Sequence, residues 1–338
     1  MTYAGARGKT AEEMATTLRF TLPQEKLHQG SASLCKTLPI GSGSQGYQVA
    51  IANRLWGQQE YDFLEPFLQT TKTHYGADLQ PVDFRQAIPT SRLINTWVEE
   101  KTEGKIKDLI SPQMLTPMTR FVLTNAIYFK GDWQDPFTKS LTKKAPFDTF
   151  GKKTDVQLMH QENHYKYGFR DDLQILEMPY AGDRFSMVVL LPDREKKHLT
   201  ALEDSLSPEK LKAWTTGLRT KKVKVYLPRF EFEQPTDLKE ILQSLGMRRA
   251  FGLGEADFSG ISAEKELHLS FAIHKAYIKV DEKGTEAAAA TGVGGFGGGF
   301  AKPPKTPTFR ADHPFVFLIR DNRTGCILFL GRFAQPVT

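Results

Sequence analysis

Hydrophobic and polar positions along this chain switch repeatedly between a helical and a strand period, and each switch marks an element. From Thr10 to Phe20, Met14 and Leu18 fall on one helix face, because side chains four apart lie one above the other. Thr10 followed by Glu13 has the form of a capping box that would start this helix. After the polar, glycine-rich GSGSQG, the run YQVAIANRLWG reads as a strand and FLEPFLQTTKTHYG as a helix. Thr90 to Ile110 predicts a longer helix, with Ile94, Trp97 and Val98 as its apolar stripe and Glu99, Glu100 and Lys101 outside. Phe121 to Lys130 is apolar enough for a central strand buried on both faces. LQILEMPY and FSMVVLLP repeat that pattern, and a charged helical stretch runs from Glu209 to Leu218. In KVKVYLPRFEFE the alternation changes phase at Pro228 and Arg229, which predicts a bulge or bend. Asp237 to Leu245 reads as a short helix closed by Gly246. LHLSFAIHKAYIKV is strand-like, and PFVFLIR and CILFLGR form a final hairpin, turning at DNRTG, whose near-continuous apolar runs suit the back of a core.

Between those last strands lies DEKGTEAAAATGVGGFGGGFAKPPKTPT, residues 281–308, with no core of its own. Structureless loops of this length inside a compact domain are usually functional or disordered. If the segment extended, Thr285, Ala287, Ala289 and Thr291 would share one face, and all four are small. The glycines beyond Thr291 and Pro303, Pro304 and Pro307 disfavour strand pairing, which predicts an exposed, reachable chain. Composition leaves two other readings open: a short helix, since Ala is the best helix former, or a flexible linker.

The run KAYIKVDEKGTEAAAAT, followed by FRADHPFVFLIRDNRTGCILFLGR, resembles the serpin superfamily, and the likeness extends over nearly the whole chain. It implies an α+β fold, with a large mixed central sheet, further sheets, surrounding helices and an exposed reactive-centre loop. Residues 1–338 would form one domain and 282–308 the loop. The resemblance implies an inhibitor of serine, or cysteine, proteases that is cleaved in its loop, trapped as an acyl-enzyme, and inserts the loop's upstream half into the main sheet. The hinge for that insertion would be Glu282, Gly284, Thr285, Glu286, Ala287, Ala288, Ala289, Ala290 and Thr291. Asn125 and His274 match a polar pair beneath the sheet centre; a buried Asn and a neutral His need partners, and pairing them with each other would latch two strands. Trp133, Arg229 and Glu282 match a cluster at the top of the sheet, where an Arg–Glu ion pair would hold the entry shut. For each of these residues alone a structural role fits equally well. The helix at Thr90–Ile110 would lie across the main sheet. Met1 to Gly8 resembles the end of the family's second helix, so the first helix, first strand and most of the second helix are expected to be missing. That loss should expose apolar sheet surface, at roughly 1.5 to 3 kcal/mol per large side chain uncovered. The resemblance also implies a monomer, an extracellular location and no cofactor.

Composition adds exclusions. The 338 residues would allow two domains on size alone, but no linker precedes Asp281. Apolar residues make up 40% and charged ones 25%, as in an ordinary globular protein. The net charge of +6 is spread out; Lys221, Lys222 and Lys224 are its densest cluster, in an alternating strand pattern that suits a solvated face better than nucleic acid or heparin. No membrane partner is expected, since no apolar run is long enough to span a bilayer. Cys35 and Cys326 have neither disulfide-framework nor metal-ligand spacing, and Cys326 suits a small buried hydrophobe. GxSxG, HExxH and Walker patterns are missing. Gly292-Val293-Gly294-Gly295-Phe296-Gly297 fits GxGxxG, but no helical pattern follows to receive a phosphate. His160 and His164, with Glu162 between them, have the spacing of a helical metal pair, yet VQLMHQENHYKYGF has more strand and turn character. Asn322-Arg323-Thr324 is a glycosylation sequon, a triplet common by chance.

The cleaved bond has two placements. Counting from Glu282 by family spacing gives Gly298-Gly299; counting back from Phe309-Arg310-Ala311-Asp312 gives Phe300-Ala301. An aromatic fills a deep specificity pocket and glycine fills none, which favours Phe300, with Phe296 the second aromatic candidate, and a chymotrypsin-like target. On that basis Phe300→Ala should slow trapping of chymotrypsin by roughly tenfold or more; rate constants equal to the parent's would remove Phe300 from the scissile bond.

Overall fold

The computed structural model describes residues 1–39, 41–42, 46–195, 198–264, 267–285 and 306–336. Helices α1 (Gly8–Thr17) and α2 (Gln24–Thr37) lead to strands β1 (Gly41–Ser42) and β2 (Tyr47–Gln58), then α3 (Glu65–Tyr75), β3 (Leu79–Val82) and α4 (Ala87–Lys101). Five strands follow: β4 (Phe121–Asp132), β5 (Lys143–Thr149), β6 (Lys152–Arg170), β7 (Leu173–Pro179) and β8 (Phe185–Pro192). After α5 (Leu199–Ser205) and α6 (Pro208–Thr215) come β9 (Arg219–Pro228), β10 (Phe230–Asp237), α7 (Leu238–Ser244), β11 (Ile273–Val280) and β12 (Gly284–Thr285). The chain closes with β13 (Thr308–Arg310), β14 (Phe315–Asp321) and β15 (Ile327–Phe333). One sheet has the order β1-β2-β4-β11-β10, with β3 beside β2 and β12 beside β4; the other runs β13-β9-β6-β7-β8-β14-β15, with β5 beside β6. The first sheet is mixed: β4 and β11 are parallel, with Ala126 opposite Lys275, whereas β12 is antiparallel to β4. The described residues divide into two compact units. The first takes 1–42, 48–129 and 232–278; the second takes 43–47, 130–231 and 279–338.

In the first unit α4 covers sheet residues of three strands. Its Ile94 and Val98 join Ala52 and Trp56 of β2, Val122, Ala126 and Tyr128 of β4, and Tyr277 of β11 in one buried cluster. The Trp56 indole donates to Thr124 Oγ1 at 3.1 Å, so the buried N–H keeps a partner. α4 ends at Lys101, nine residues before the expected Ile110. Thr102 Oγ1 donates to the Val98 carbonyl at 2.8 Å and accepts from Ile106 N–H at 3.1 Å, and Asn95 holds both backbone groups of Ile110, at 2.8 and 2.9 Å. Backbone turn bonds over residues 102–105 and these side-chain bonds thus satisfy the segment after α4 in place of a continued helix.

The expected capping box does not form. α1 begins at Gly8, so Thr10 lies inside its first turn, where its hydroxyl accepts from Asp257 N–H at 2.9 Å. Glu13 accepts from the amides of Arg248 and Arg249 at 2.9 and 2.8 Å. Both side chains cap a distant turn instead of their own helix. β11 begins at Ile273, so Leu267 to Ala272 of the strand-like run lies outside it.

In the second unit β7, β8 and β14 are buried on both faces, and Ile175, Val188, Leu190 and Leu318 pack against Leu199, Leu202 and Trp214 of α5 and α6. β9 ends at Pro228 and β10 begins at Phe230, the predicted phase change. β15 departs from expectation: Ile327 and Leu330 are exposed, because β15 ends the strand order. Cys326 is half-buried in the turn before it, and no disulfide joins the two cysteines among the described residues. His160 and His164 lie on strand β6, which rules out a helical metal pair. Asn322 of the sequon uses both ends of its side chain in the hairpin turn, accepting from Ser186 Oγ at 2.7 Å and donating to the Asp183 carbonyl at 2.9 Å.

Between α2 and α3 the buried His28 shares a 2.7 Å hydrogen bond with the Tyr75 hydroxyl. Burial, with smaller contributions from the Met1 ammonium, His74 and Arg7, pulls its pKa from the usual 6.5 down to about 4. A histidine depressed in the folded state contributes stability that is complete above pH 6.5 and is lost as pH falls through about 4. His28→Gln should therefore flatten the acid limb of the stability curve, gaining on the parent by on the order of 3 kcal/mol between pH 7 and pH 4. Urea midpoints that track the parent's across that range would exclude this role.

Candidate loop-hinge site

The segment leading out of β11 reverses direction in four residues. Asp281 N–H donates to the Gly284 carbonyl at 2.9 Å, and the Asp281 carboxylate accepts from Lys283 N–H at 2.9 Å. The reversal lays β12 antiparallel on the end of β4, with Gly284 opposite Asp132 and Thr285 opposite Gly131. Gly284 has φ +137°, and a Cβ there would lie 2.2 Å from the Gly131 carbonyl oxygen and 2.5 Å from Trp133 N. Only glycine fits, since both the dihedral and the backbone approach exclude a side chain.

Trp133 and Glu282 fasten this turn. Trp133 donates its amide to the Lys283 carbonyl at 2.7 Å and its indole N–H to the Asp281 carbonyl at 3.0 Å. Its ring stacks on Tyr180 at 4.6 Å and 7°. Glu282 is buried, and its nearest side-chain partner is Thr142, whose hydroxyl donates to Oε1 at 2.7 Å. Its backbone carbonyl accepts from Phe137 N–H at 2.7 Å. Arg229 stands farther off, 3.9 Å from Oε2 and half exposed, so the expected ion pair is the weaker contact, worth at most about 1 kcal/mol. Beside the turn, burial raises the Asp132 pKa, and Asp132 Oδ1 has no hydrogen-bond partner among the described residues.

Asn125 and His274 lie in the first unit, on the side of β4 and β11 facing away from α4. Asn125 is exposed and donates to Asn53 Oδ1 of β2 at 2.7 Å. It does not bond His274, whose pKa burial lowers and whose side chain makes no hydrogen bond among the described residues. The side-chain bond expected between β4 and β11 is therefore not made among the described residues, and Asn125 is joined to β2 instead. Asn125, being solvated, has no buried amide to satisfy. Around it Ile51, Leu123, Ile127 and Ala276 are only half-buried.

Two residues that sequence reasoning passed over matter here. Thr142 carried no pattern that would have marked it. Lys275 did: it interrupts the apolar phase shared by Ile273 and Tyr277. Its ammonium pairs with Glu233 of β10 at 2.6 Å and donates to the Lys107 carbonyl, tying the segment after α4 to β11. The hinge residues Glu286, Ala287, Ala288, Ala289, Ala290 and Thr291, and the scissile candidates Phe296, Gly298, Gly299, Phe300 and Ala301, lie outside the described residues, as does Gly292–Gly297.

A family model described as serpin (serine protease inhibitor) matches residues 1–336. The chain is 42% identical to the leukocyte elastase inhibitor of Homo sapiens over 346 residues, covering 99% of this chain and 89% of the relative. Among solved structures it resembles Serpin48 of the insect Tenebrio molitor, with TM-score 0.82 and 33% identity over 99% of this chain and 87% of that one. It also resembles human thyroxine-binding globulin complexed with thyroxine, with TM-score 0.85 and 30% identity over 100% and 88%.

Gly284→Ala should detach β12 from β4 and destabilise the protein by about 1–3 kcal/mol. The Trp133 amide, bonded across this turn, should then exchange with solvent at least about tenfold faster, and unchanged exchange there would show that the turn does not depend on Gly284.

Proposed function

Since the chain belongs to the serpin family and has its α+β fold, we propose that it inhibits serine-type endopeptidases as a suicide substrate, through insertion of a cleaved reactive loop. Residues 1–338 act as one serpin domain and 282–308 as its reactive loop. The observation that carries this reading is the register of β12 on β4. Each further step down the loop would meet one step back along β4, so Ala287 would face Phe129, Ala289 would face Ile127 and Thr291 would face Asn125. Gly295 would reach Phe121, the first residue of the strand. To admit the loop, β4 and β11 must part where Ala126 pairs with Lys275 and Ile127 with Ala276. A parallel contact is then exchanged for antiparallel ones, which are slightly stronger per residue.

The side-chain pattern agrees with that path. Loop residues opposite Tyr128, Ala126, Thr124 and Val122 would be Ala288, Ala290, Gly292 and Gly294, all small enough to pass beneath α4. Lys275 and its contacts with Glu233 and Lys107 would have to yield, so they restrain opening. About a dozen new ladder bonds at roughly 0.5–1.5 kcal/mol each supply on the order of 10 kcal/mol. A displacement of about 1 Å in a catalytic group already slows a protease about a hundredfold, so the acyl-enzyme outlasts hydrolysis. Gly292, Gly294 and Gly295, opposite Thr124, Val122 and Phe121, weaken pairing through entropy and missing contacts, so insertion is slow and part of the protein is cleaved as plain substrate.

A chymotrypsin-like enzyme is the target class, from Phe300. The extracellular location implied by resemblance gains no support from relatives such as the leukocyte elastase inhibitor. The competing reading is a non-inhibitory serpin such as a carrier; thyroxine-binding globulin shares this fold and was solved with thyroxine bound. The absence of any bulky or charged residue from Ala287 to Thr291 favours the inhibitor.

Incubation with chymotrypsin should yield a covalent complex stable on a denaturing gel. Loop cleavage should raise Tm by on the order of 20 °C, from about 10 kcal/mol at roughly 2 °C per kcal/mol. The double variant Ala289→Arg/Ala290→Arg, which places a long charged side chain on each face of the entering segment, should abolish both effects and leave only cleaved substrate. A cleaved parent that melts with the intact protein would sink the mechanism and favour a carrier.

A further inference from the structure

The outward face of β6, β9 and β13, all in the second unit, carries a charge pattern that loop insertion does not use. His160, Glu162 and His164 of β6 stand opposite Tyr226, Lys224 and Lys222 of β9, and Thr308 and Arg310 of β13 extend the rows on the other side. His160 stacks on Tyr226 at 4.2 Å and 10°, and the Arg310 guanidinium lies 4.8 Å from the same ring centroid. Glu162 is held by Lys222 at 2.9 Å and by Lys224 at 4.0 Å. The cations are the more accessible groups: the side chains of Lys222, Lys224 and Arg310 are 56, 45 and 41% exposed, against 32% for Glu162. Asp312, the partner of Arg310 at 2.7 Å, is also held by Arg194 at 2.6 Å. The face therefore presents net positive charge around a rigid aromatic stack.

Its position identifies the partner. Lys224 N–H donates to the Pro307 carbonyl at 3.0 Å, so the chain returning from the reactive loop is fixed to this face. Seven peptide steps separate Pro307 from Phe300, a reach of at most about 25 Å. A protease of typical size has a radius of gyration of about 17 Å, so an enzyme engaged at Phe300-Ala301 is held with its body beside these residues. We propose that this face is a docking surface for an acidic patch on the target protease. Glu162 interrupts the cationic row, which disfavours a continuous polyanion, whereas discrete carboxylates on a folded partner exchange with Glu162 for Lys222 and Lys224. Opposite charges there raise the rate of encounter more than the final affinity.

This inference rests on the inhibitor reading. Its test compares the parent, the double variant Lys222→Gln/Lys224→Gln, and Glu162→Gln in their rates of covalent complex formation with one acidic and one basic chymotrypsin-like protease. With the acidic enzyme at low salt, the double variant is expected to react roughly three- to tenfold more slowly and Glu162→Gln faster. Both differences should fade by about 0.5 M salt, with stoichiometry unchanged. Equal rates for all three proteins would overturn the docking surface and leave the inhibitor reading standing. Failure of the parent to form a complex with either enzyme would overturn the inhibitor reading and the docking surface with it. Retention of the parent on immobilised heparin at about 0.15 M salt, lost in the double variant, would reassign the face to a polyanion.

Discussion

Between Asp281 and Gly284 the chain turns back on itself within its own hydrogen bonds and lays two residues antiparallel against the end of β4. A strand begun in this way has its register set before the rest of it pairs. Side chains alternate with a period of two, so a slip of one residue would exchange the faces of every residue that followed. Gly284 is what makes the approach close enough: its missing Cβ admits the Gly131 carbonyl and the Trp133 amide. The other features of the hinge take their meaning from that contact. Trp133 is clamped on Tyr180 because both its amide and its indole serve the turn. Glu282 is buried where its carbonyl accepts from Phe137 N–H and its carboxylate accepts from the Thr142 hydroxyl.

The restraints on the two stretches of β4 differ in kind. At the hinge they are neutral or short-range: backbone bonds, a hydroxyl on a carboxylate, stacked rings. Each is worth about 1 kcal/mol net, and the Arg229 ion pair adds little at 3.9 Å with half its side chain in water. Lower down, the restraint is a buried cation. Lys275 sits among the apolar residues under α4 with a carboxylate and a carbonyl as partners. Breaking such a group from its partners without replacing them costs several kcal/mol. Were β4 and β11 to part, Lys275 would therefore oppose it more than Asn125 and His274, which solvent already reaches in part.

Much of this was legible in the sequence. The alternations that marked β2, β4, β8, β9 and β14 were strong because each strand is buried on at least one face, and α3 and α7 carried their glycine stops. The failures share a cause. Thr10 and Glu13 have capping chemistry, but their oxygens meet the amides of Asp257, Arg248 and Arg249, more than two hundred residues away. α4 stops at Lys101 because Asn95 and Thr102 satisfy the next segment sideways. β15 is apolar in sequence and half exposed in the fold because position in a sheet is not written in a strand's own residues. Asn125 was expected to be buried because its neighbours are apolar, yet which face of a strand is covered depends on what lies over it. Of the hinge cluster, Trp133, Glu282 and Gly284 were legible from resemblance, while Thr142, contributed by a connecting segment, was not.

The composition of 285–295 can be understood as a compromise between two opposing demands. A segment that is to pass beneath α4 must be narrow, and alternate positions from Ala288 to Gly294 are Ala or Gly. A segment that is to hold its place as a strand gains from large and β-branched side chains, and glycine loses both packing and entropy. Thr285, Thr291 and Val293 supply the β-branched residues, and all three share the phase that would face away from α4. In that arrangement bulk would be confined to the side where Asn125 and Ile127 are incompletely covered. On the helix side, where Ile94 and Val98 close over Ala126 and Tyr128, nothing larger than alanine follows Glu286 before Phe296. If the segment inserts, the same small side chains that let it pass beneath α4 would also limit how tightly it is held, so both effects would trace to one short stretch of sequence.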